Sequence, residues 1–178
     1  MTTIAIIGAG PLGRWLALAA ARAGFRVFLE DVMPSNLHHA QEYLRQQLTP
    51  SPVSSPDEAI SFVSTVEDAV READLVIDCI PDELESKLEI LWLLDRMAPP
   101  KTVIATPTTA LSIDDLASCT YRPDKCIAIA ASPRTLSDER PGSAIRLVST
   151  SRTTPESVAL VTSFWERLGF HPHCEHSA

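Results

Sequence analysis

Near its start the chain runs from a short apolar segment directly into three closely spaced glycines. The apolar segment is residues 4–7, and the glycines lie in Gly8-Ala9-Gly10-Pro11-Leu12-Gly13. A wholly apolar run of this length is typical of a strand buried in a parallel sheet. A helical pattern of small residues follows over 12–23 and stops at Gly24. The sequence therefore predicts a strand, a tight turn and a helix in direct succession.

This glycine turn has the spacing of a dinucleotide-binding turn. Gly8 permits the tight turn, Gly10 lets the backbone approach a pyrophosphate, and Gly13 lets the helix pack closely on the strand. The helix N-terminus offers amides and a positive dipole end to phosphates, although Pro11 removes one donor. We therefore predict cofactor contacts at Gly8, Gly10, Pro11, Leu12 and Gly13. The alternative is a glycine-rich turn that binds nothing.

An acidic pair closes the second apolar run. Residues 27–29 lead into Glu30-Asp31, and Asp31 follows Gly8 by 23 positions. A carboxylate at this place accepts hydrogen bonds from the adenosine ribose and repels the 2′-phosphate of NADP, and no nearby arginine follows to accommodate that phosphate. We therefore predict NAD, with Asp31 on its ribose. The alternative is a solvated charge at the end of a strand.

Short apolar runs alternate with helical patterns along the rest of the chain. Further strands are predicted at 60–63, 75–80, 103–105, 126–130, 145–148 and 171–174. Helices are predicted at 36–48, in a short segment that ends at Glu72, at 83–97, directly after Ser112, and from Thr154 to Gly169. Asp82 and Glu85 are predicted to cap the helix at 83–97, and Ser112 and Thr154 to cap the two helices that follow. Residues 49–57 are predicted to form a loop. The pattern predicts one α/β domain over 1–178, a Rossmann-type doubly wound, mostly parallel sheet with helices on both faces. The last strands are the candidates for antiparallel pairing.

Composition argues against several classes of protein. The 178 residues are 45% hydrophobic and 21% charged, which is typical of one globular domain. A net charge of −8 disfavours nucleic acid and anionic membranes as partners. No secretory signal or membrane-spanning run is evident, and the four scattered cysteines lack metal-ligand spacing. We expect a cytoplasmic protein with reduced thiols and no membrane partner.

From residue 73 onward the chain resembles a known family. Ala73-Asp74-Leu75-Val76-Ile77-Asp78-Cys79-Ile80-Pro81-Asp82 is similar to A-D-L-V-I-E-A-I-P-E of the NAD-binding domain of L-3-hydroxyacyl-CoA dehydrogenases. The segment 106–113 is similar to S-N-T-S-S-L-S-I of the same domain, and shared positions continue at Lys87, 94–95, 98–100, 102–105 and 122–125. The resemblance covers most of the chain. It implies NAD as cofactor and oxidation of a CH–OH group of an acyl-CoA substrate.

The resemblance also implies further site residues. Ile80 and Pro81 would line the cofactor loop, and Asp82 and Lys87 would lie beside the nicotinamide ribose. Thr109 stands where the family has a serine that touches nicotinamide and substrate, and it is the one candidate for catalysis. Read without the resemblance, Asp82 is a helix cap and Lys87 a surface lysine. Both interpretations stay open at this stage.

The resemblance breaks at the catalytic base, which must remove the hydroxyl proton during hydride transfer. The family has a histidine in H-F-F-N-P, oriented by a glutamate in K-L-V-E-V. This chain has Ala130 in place of the histidine, Ser132 in place of the asparagine and Ser149 in place of the glutamate. It also has an inserted loop at 134–143. Its segment between the second and third strands is much shorter than the helical hairpin that the family has there. We expect no C-terminal helical domain.

No other residue is a convincing base. His38 and His39 belong to the adenine side, and Asp138 and Glu139 are interpreted as solvated charges of the inserted loop. The tail residues His171, His173, Cys174 and His176 suggest a metal ligand set, but their alternation on a short strand does not define a closed site. We therefore predict no metal.

Three hypotheses about function remain. The chain is an NAD(H)-binding module impaired or inactive as a dehydrogenase, or an active NAD-dependent oxidoreductase with a different base or a partner chain that completes its pocket, or a scaffold without cofactor. The glycine turn argues against the third. A missing base costs about a hundred- to ten-thousand-fold in rate, which favours the first. We also expect self-association through apolar surface that a helical domain would cover.

Overall fold

The computed structural model describes residues 1–48 and 59–178, and one eight-stranded sheet runs through this part of the chain. The loop predicted at 49–57 lies outside the described residues. The strands are β1 Thr3–Ile7, β2 Arg26–Glu30, β3 Ile60–Val63, β4 Leu75–Asp78, β5 Val103–Pro107, β6 Cys126–Ile129, β7 Ala144–Ser149 and β8 His171–His176. The helices are α1 Pro11–Arg22, α2 Pro34–Gln47, α3 Val66–Val70, α4 Leu84–Met97, α5 Ile113–Ser118 and α6 Pro155–Arg167.

The strand order is β3-β2-β1-β4-β5-β6-β7-β8. The first six strands are parallel to one another, β7 runs antiparallel to β6, and β8 is parallel to β7. The predicted doubly wound, mostly parallel sheet is confirmed, and so is the antiparallel end. Because β7 is reversed, its first residues lie at the carboxyl edge of the parallel strands.

Helices cover both faces of the sheet, as predicted. One face packs against α1, α2 and α6 through side chains such as Leu16, Leu44 and Trp165. The other packs against α3, α4 and α5 through Val70, Leu91 and Leu116 among others. In the described part of the chain no helix is both long and apolar enough to cross a bilayer.

Two of the three predicted helix caps are confirmed. The Ser112 hydroxyl accepts a hydrogen bond from the Asp115 amide at 3.3 Å, and that of Thr154 from the Ser157 amide at 3.2 Å. The predicted Asp82–Glu85 capping pair is wrong. Helix α4 is instead preceded by Glu83, which makes no side-chain cap, because the Asp82 carboxylate binds elsewhere.

The turn after β1 brings the backbone of helix α1 very close to the end of β1. Gly8 has φ +104°, which L side chains rarely adopt. A Cβ atom at Gly13 would overlap the carbonyl oxygen of Gly8, since helix α1 begins directly on that peptide. Around Gly10, by contrast, no atom of the described residues other than its chain neighbours lies within 4 Å of where a Cβ would be. The first and third glycines therefore shape the turn, and the second leaves open space beside it.

We predict that Gly13→Ala lowers the free energy of unfolding by on the order of 3 kcal/mol or more, because backbone must move to admit the methyl group. Gly10→Ala is the matched control, and its effect should stay within about 1 kcal/mol. Urea denaturation followed by circular dichroism measures both. Equal stability of the two variants would contradict the packing described here.

Candidate functional site

The order of the strands in the sheet reverses between β1 and β4. The chain leaves β1 toward β2 on one side and returns to β4 on the other. A crevice forms at the carboxyl ends of parallel strands at such a reversal, and ligands of α/β proteins bind in it. The glycine turn, residues 8–13, follows β1 at this edge.

The glycine turn presents donors to the crevice. Gly10 is the N-cap of α1, it provides no side-chain cap, and the first turn of the helix holds no acidic residue. Among the residues described, the amides of Leu12 and Gly13 find no acceptor. Free first-turn amides and the positive end of the helix dipole suit an anion. The open space at Gly10 lets such an anion reach them, so the turn fits a diphosphate.

Three cavities follow one another along this edge of the sheet. The first, which we call the β2 cavity, measures about 290 Å³ and is lined by residues that include Gly8, Glu30, Asp31, Val32 and Ile80. The second, the elbow cavity, measures about 480 Å³, and its lining includes Gly10, Pro11, Leu12, Gly13, Pro81 and Asp82. The third, the Ala130 cavity, measures about 320 Å³, and its lining includes Thr108, Thr109, Asp114, Ala130 and Arg146. Of the eleven predicted cofactor-site residues, ten line this row, and Lys87 does not.

Asp31 is held firmly beside the glycine turn. Its carboxylate accepts hydrogen bonds from the Ala9 amide at 2.9 Å, the Met33 amide at 2.8 Å and the Asn36 side-chain amide at 3.1 Å. Its exposed fraction is 9%, so the alternative of a solvated strand-end charge is wrong. A carboxylate has about four acceptor positions, and three are used. One position is left for a hydroxyl in the β2 cavity.

Glu30 is a site residue that the sequence interpretation did not single out. Its exposed fraction is 3%, and Oε1 has no hydrogen-bond partner among the described residues. Burial, reinforced by the neighbouring charge of Asp31, raises the pKa of Glu30 to about 7. Period-2 alternation along β2 could have found it, because Leu29 packs toward α1 and the next residue must face the opposite side.

Asp82 joins two loops of the crevice. Its carboxylate accepts hydrogen bonds from the Thr108 hydroxyl at 2.5 Å, the Thr109 amide at 2.9 Å and the Ala110 amide at 3.2 Å. Partial burial acts to raise the pKa of Asp82, but these three hydrogen bonds outweigh it and hold the pKa below its usual value. Asp82 is therefore an anion at neutral pH that ties the loop after β4 to the loop after β5.

Lys87 lies inside the protein, and the surface-lysine interpretation is wrong. Its side chain is fully buried, and Nζ lies 2.6 Å from Oδ1 of Asp78 at the end of β4. The structure does not place Lys87 on the crevice, so direct contact with a ribose would require this buried pair to separate. Nearby, burial raises the pKa of the Cys79 thiol, which stays protonated at the wall of the elbow cavity.

The register of β7 determines which residue lies opposite Ala130. The amide of Ala130 donates to the carbonyl of Arg146 at 2.8 Å, and both residues line the Ala130 cavity. Ser149 instead lies opposite Ile127, with its hydroxyl 3.0 Å from Nδ1 of His176. A β7 residue that orients a group at position 130 would therefore be residue 146. The correspondence of Ser149 with the family's glutamate stays a prediction from the sequence.

The inserted loop at 134–143 folds over α1. Leu136 is fully buried in the core on that face and anchors the loop. Arg134 and Ser137 line the elbow cavity, whereas Asp138 and Glu139 are exposed and do not line it. Arg134 thus adds a cation near the glycine turn. No sequence motif indicated it, because its position depends on how the loop docks.

The histidines stay apart from the crevice cavities. His38 and His39 lie on α2, where Nε2 of His38 is 3.4 Å from a carboxylate oxygen of Glu42. The tail histidines lie on β8. Over residues 1–48 and 59–178, no group of three or more histidine, cysteine or acidic side chains is arranged to hold a metal ion.

Comparison with known proteins agrees with this geometry. The model of the family "3-hydroxyacyl-CoA dehydrogenase, NAD binding domain" matches residues 3–174. A probable 3-hydroxybutyryl-CoA dehydrogenase of Bacillus subtilis is 36% identical over 135 residues, which are 71% of this chain and 47% of that protein. The mitochondrial hydroxyacyl-coenzyme A dehydrogenase of Sus scrofa is 28% identical over 95% of this chain and 57% of its own length. The chain thus spans about half the length of these relatives.

A solved structure shows the same fold. The (S)-3-hydroxybutyryl-CoA dehydrogenase of Ralstonia eutropha superposes with a TM-score of 0.83 at 23% identity, over 100% of this chain and 64% of that chain. The family match, the glycine turn with its free amides and the carboxylate of Asp31 agree with one another. The chain belongs to the 3-hydroxyacyl-CoA dehydrogenase family as its NAD-binding domain.

Proposed function

We propose that this chain is an NAD(H)-binding module whose capacity for the family's dehydrogenase reaction is impaired. One observation carries the proposal. The crevice keeps the groups that suit a dinucleotide, from Asp31 to the glycine turn, while the next cavity along is lined by Ala130, the position at which the sequence resemblance implies the family's histidine. Binding and catalysis use different cavities of the row, so one can be lost without the other.

The residues that would hold the cofactor lie one after another along the crevice. The remaining acceptor position of Asp31 suits a ribose hydroxyl at the β2 cavity. The amides of Leu12 and Gly13 suit the diphosphate, with Arg134 as an added cation at the same cavity. Asp82 and Thr109, at the junction of the elbow and Ala130 cavities, would flank the nicotinamide half. The bound dinucleotide supplies the hydride acceptor or donor.

The reaction is impaired because position 130 lacks a side chain that can transfer the proton. A carbonyl or hydroxyl at the hydride-transfer position needs a group nearby that gives or takes a proton. Position 130 offers only a methyl group, and residue 146 beside it is an arginine, which does not give up its proton in proteins. Thr109 supplies a hydroxyl that can orient a substrate. Because its proton is only weakly acidic, it does not replace an imidazole.

One observation favours the alternative of an active NAD-dependent oxidoreductase. The Asp114 carboxylate lines the Ala130 cavity and is only half-buried. A carboxylate there has the chemistry of a base, although its ordinary basicity is below that of histidine. We give it second place, because no hydrogen bond among the described residues orients this side chain toward the cavity. An acyl-CoA or other small carbonyl compound is the proposed substrate class in this case.

Two further features belong to the proposal. The cysteines at 79, 119, 126 and 174 are all unpaired, which suits a reducing compartment such as the cytoplasm. The proposal also includes self-association through apolar surface that a helical domain would cover.

We predict that Asp31→Ala weakens NADH binding about ten- to a hundredfold, because a charge-assisted hydrogen bond to the ribose is lost. Asp31→Asn keeps the shape but removes the charge, and it should narrow the preference for NADH over NADPH. Titration followed by tryptophan fluorescence measures both effects.

Asp115→Ala, an exposed carboxylate on α5, is the matched control and should bind NADH like the wild type. Unchanged affinity of Asp31→Ala would show that Asp31 does not bind the ribose.

We also predict that the wild type reduces acetoacetyl-CoA with NADH very slowly, and that the double variant Ala130→His with Arg146→Glu is at least about tenfold faster. The two new side chains would project from backbone positions joined by a hydrogen bond, so the glutamate can orient the imidazole. Steady-state oxidation of NADH at 340 nm is the measurement.

The matched control is Ala130→His with Ser149→Glu, in which residue 149 lies opposite Ile127 and cannot orient the imidazole. The rate of acetoacetyl-CoA reduction should rise less in this control than in the first double variant. A wild type that turns over rapidly, and loses its activity in Asp114→Asn, would replace the main proposal with the alternative.

A further inference from the structure

The β2 cavity has an unusual electrostatic lining. Its ionisable side chains are three carboxyl groups, those of Glu30, Asp31 and Glu89, and its described lining includes no lysine or arginine. The rest of the wall is mostly apolar and includes Ile7, Ile80 and Leu93. A ligand in this cavity therefore meets excess negative charge in surroundings that solvate it poorly.

Two adjacent carboxyl groups in this cavity are in opposite situations. Asp31 accepts three hydrogen bonds, which stabilise its negative charge. Glu30 is equally buried, yet no hydrogen bond to its side chain is found among the described residues, and Oε1 is both buried and without a partner. A buried carboxylate without donors is costly, whereas the neutral acid is tolerated. The pair therefore divides into one carboxylate that has three donors and one group that holds a proton readily.

We propose that Glu30 is a second contact of the adenosine half of the dinucleotide, that it makes this contact as the neutral carboxylic acid, and that binding NAD(H) therefore takes up a proton. This inference rests on the proposed function, because it assumes that the β2 cavity receives the adenosine.

The chemistry of both partners favours the neutral acid. A protonated carboxyl group has an O–H donor, which a carboxylate lacks, and adenosine offers acceptors in its ring nitrogens and ribose oxygens. A ligand in the cavity would cover what remains exposed of Glu30, and its diphosphate would bring further negative charge to the neighbouring turn. Both effects favour retention of the proton. Since burial and Asp31 already raise the pKa of Glu30 to about 7, the uptake would occur near neutral pH.

The surrounding charges act in the same direction. Asp31 on the same strand end and Glu89 on α4 are both acidic. At the end of β4 the Asp78–Lys87 ion pair is neutral overall, and on α3 the acids Glu67 and Asp68 are exposed, with Asp68 paired to Arg71. On α2, His38 and His39 are the titratable groups next to Asp31 along the chain. The experiment must therefore separate their contribution from that of Glu30.

The test measures NADH binding by isothermal titration calorimetry between pH 6.5 and 9. In the wild type we expect the dissociation constant to be constant below about pH 7 and then to rise by up to tenfold per pH unit, because one proton must be taken up. Measurements at pH 8 in two buffers of different ionisation enthalpy should show uptake of up to one proton per NADH.

Glu30→Gln provides the decisive comparison. Its amide still donates a hydrogen bond but does not titrate, so its affinity should be nearly independent of pH and should exceed that of the wild type at pH 8.5. Glu89→Gln, the matched control from the same cavity, should keep the pH dependence of the wild type. A Glu30→Gln profile that still follows the wild type would assign the proton to another group, such as His38 or His39, and overturn the proposal.

The outcomes for the inference and for the proposed function are distinct. Tight NADH binding by the wild type with a flat pH profile and no proton uptake would overturn the inference alone. Absence of NADH binding at any pH would overturn the proposed function together with it.

A measurement without ligand gives an independent check. The pKa of Glu30 is raised from 4.5 to about 7 on folding, so the folded state retains the proton over this range. By linkage, Glu30 lowers the stability of the fold progressively as pH rises from about 4.5 to 7, and fully above that. Glu30→Gln should therefore have a higher urea midpoint than the wild type at pH 8, and the advantage should shrink toward pH 5. Equal midpoints at both pH values would contradict the buried, unpaired carboxyl group.

Discussion

The contact of helix α1 with the peptide of Gly8 determines where the rest of the site can lie. A Cβ at position 13 cannot be accommodated, so the helix begins directly on the turn that ends β1. This closeness directs the free amides of the first helical turn into the crevice. It also leaves the amide of Ala9 beside β2, where the carboxylate of Asp31 accepts its hydrogen bond. The contact of α1 with the Gly8 peptide thus determines the positions of the turn, of the helix N-terminus and of Asp31 together.

The parts of the fold that sequence could predict are those set by local pattern. The glycine spacing, the short apolar runs, the helical patterns and the caps at Ser112 and Thr154 depend on residues a few positions apart, and the structure shows them as expected. Asp82 did not follow its local pattern. A position before a helix predicts a cap, but hydrogen bonds from a loop 27 residues away hold its carboxylate instead.

The features that sequence could not predict depend on packing between distant segments. Lys87 reads as a surface lysine until β4 places Asp78 next to it in the core. Arg134 lies near the turn only because Leu136 docks on the face covered by α1. The residue opposite Ala130 follows from the register of an antiparallel pair, and the inserted loop makes that register hard to count along the chain. In each case a long-range contact determines the chemistry of the residue.

The three hydrogen bonds of Asp82 have a mechanical consequence. They connect the segment after β4, which borders the elbow cavity, with the segment after β5, which borders the Ala130 cavity. Since one carboxylate is anchored to two backbone amides and a hydroxyl, neither segment can shift without pulling on the other. A molecule that displaces Thr109 on one side would therefore also shift Pro81 on the other. Occupancy of the elbow cavity and of the Ala130 cavity would then be correlated even where their ligands never touch.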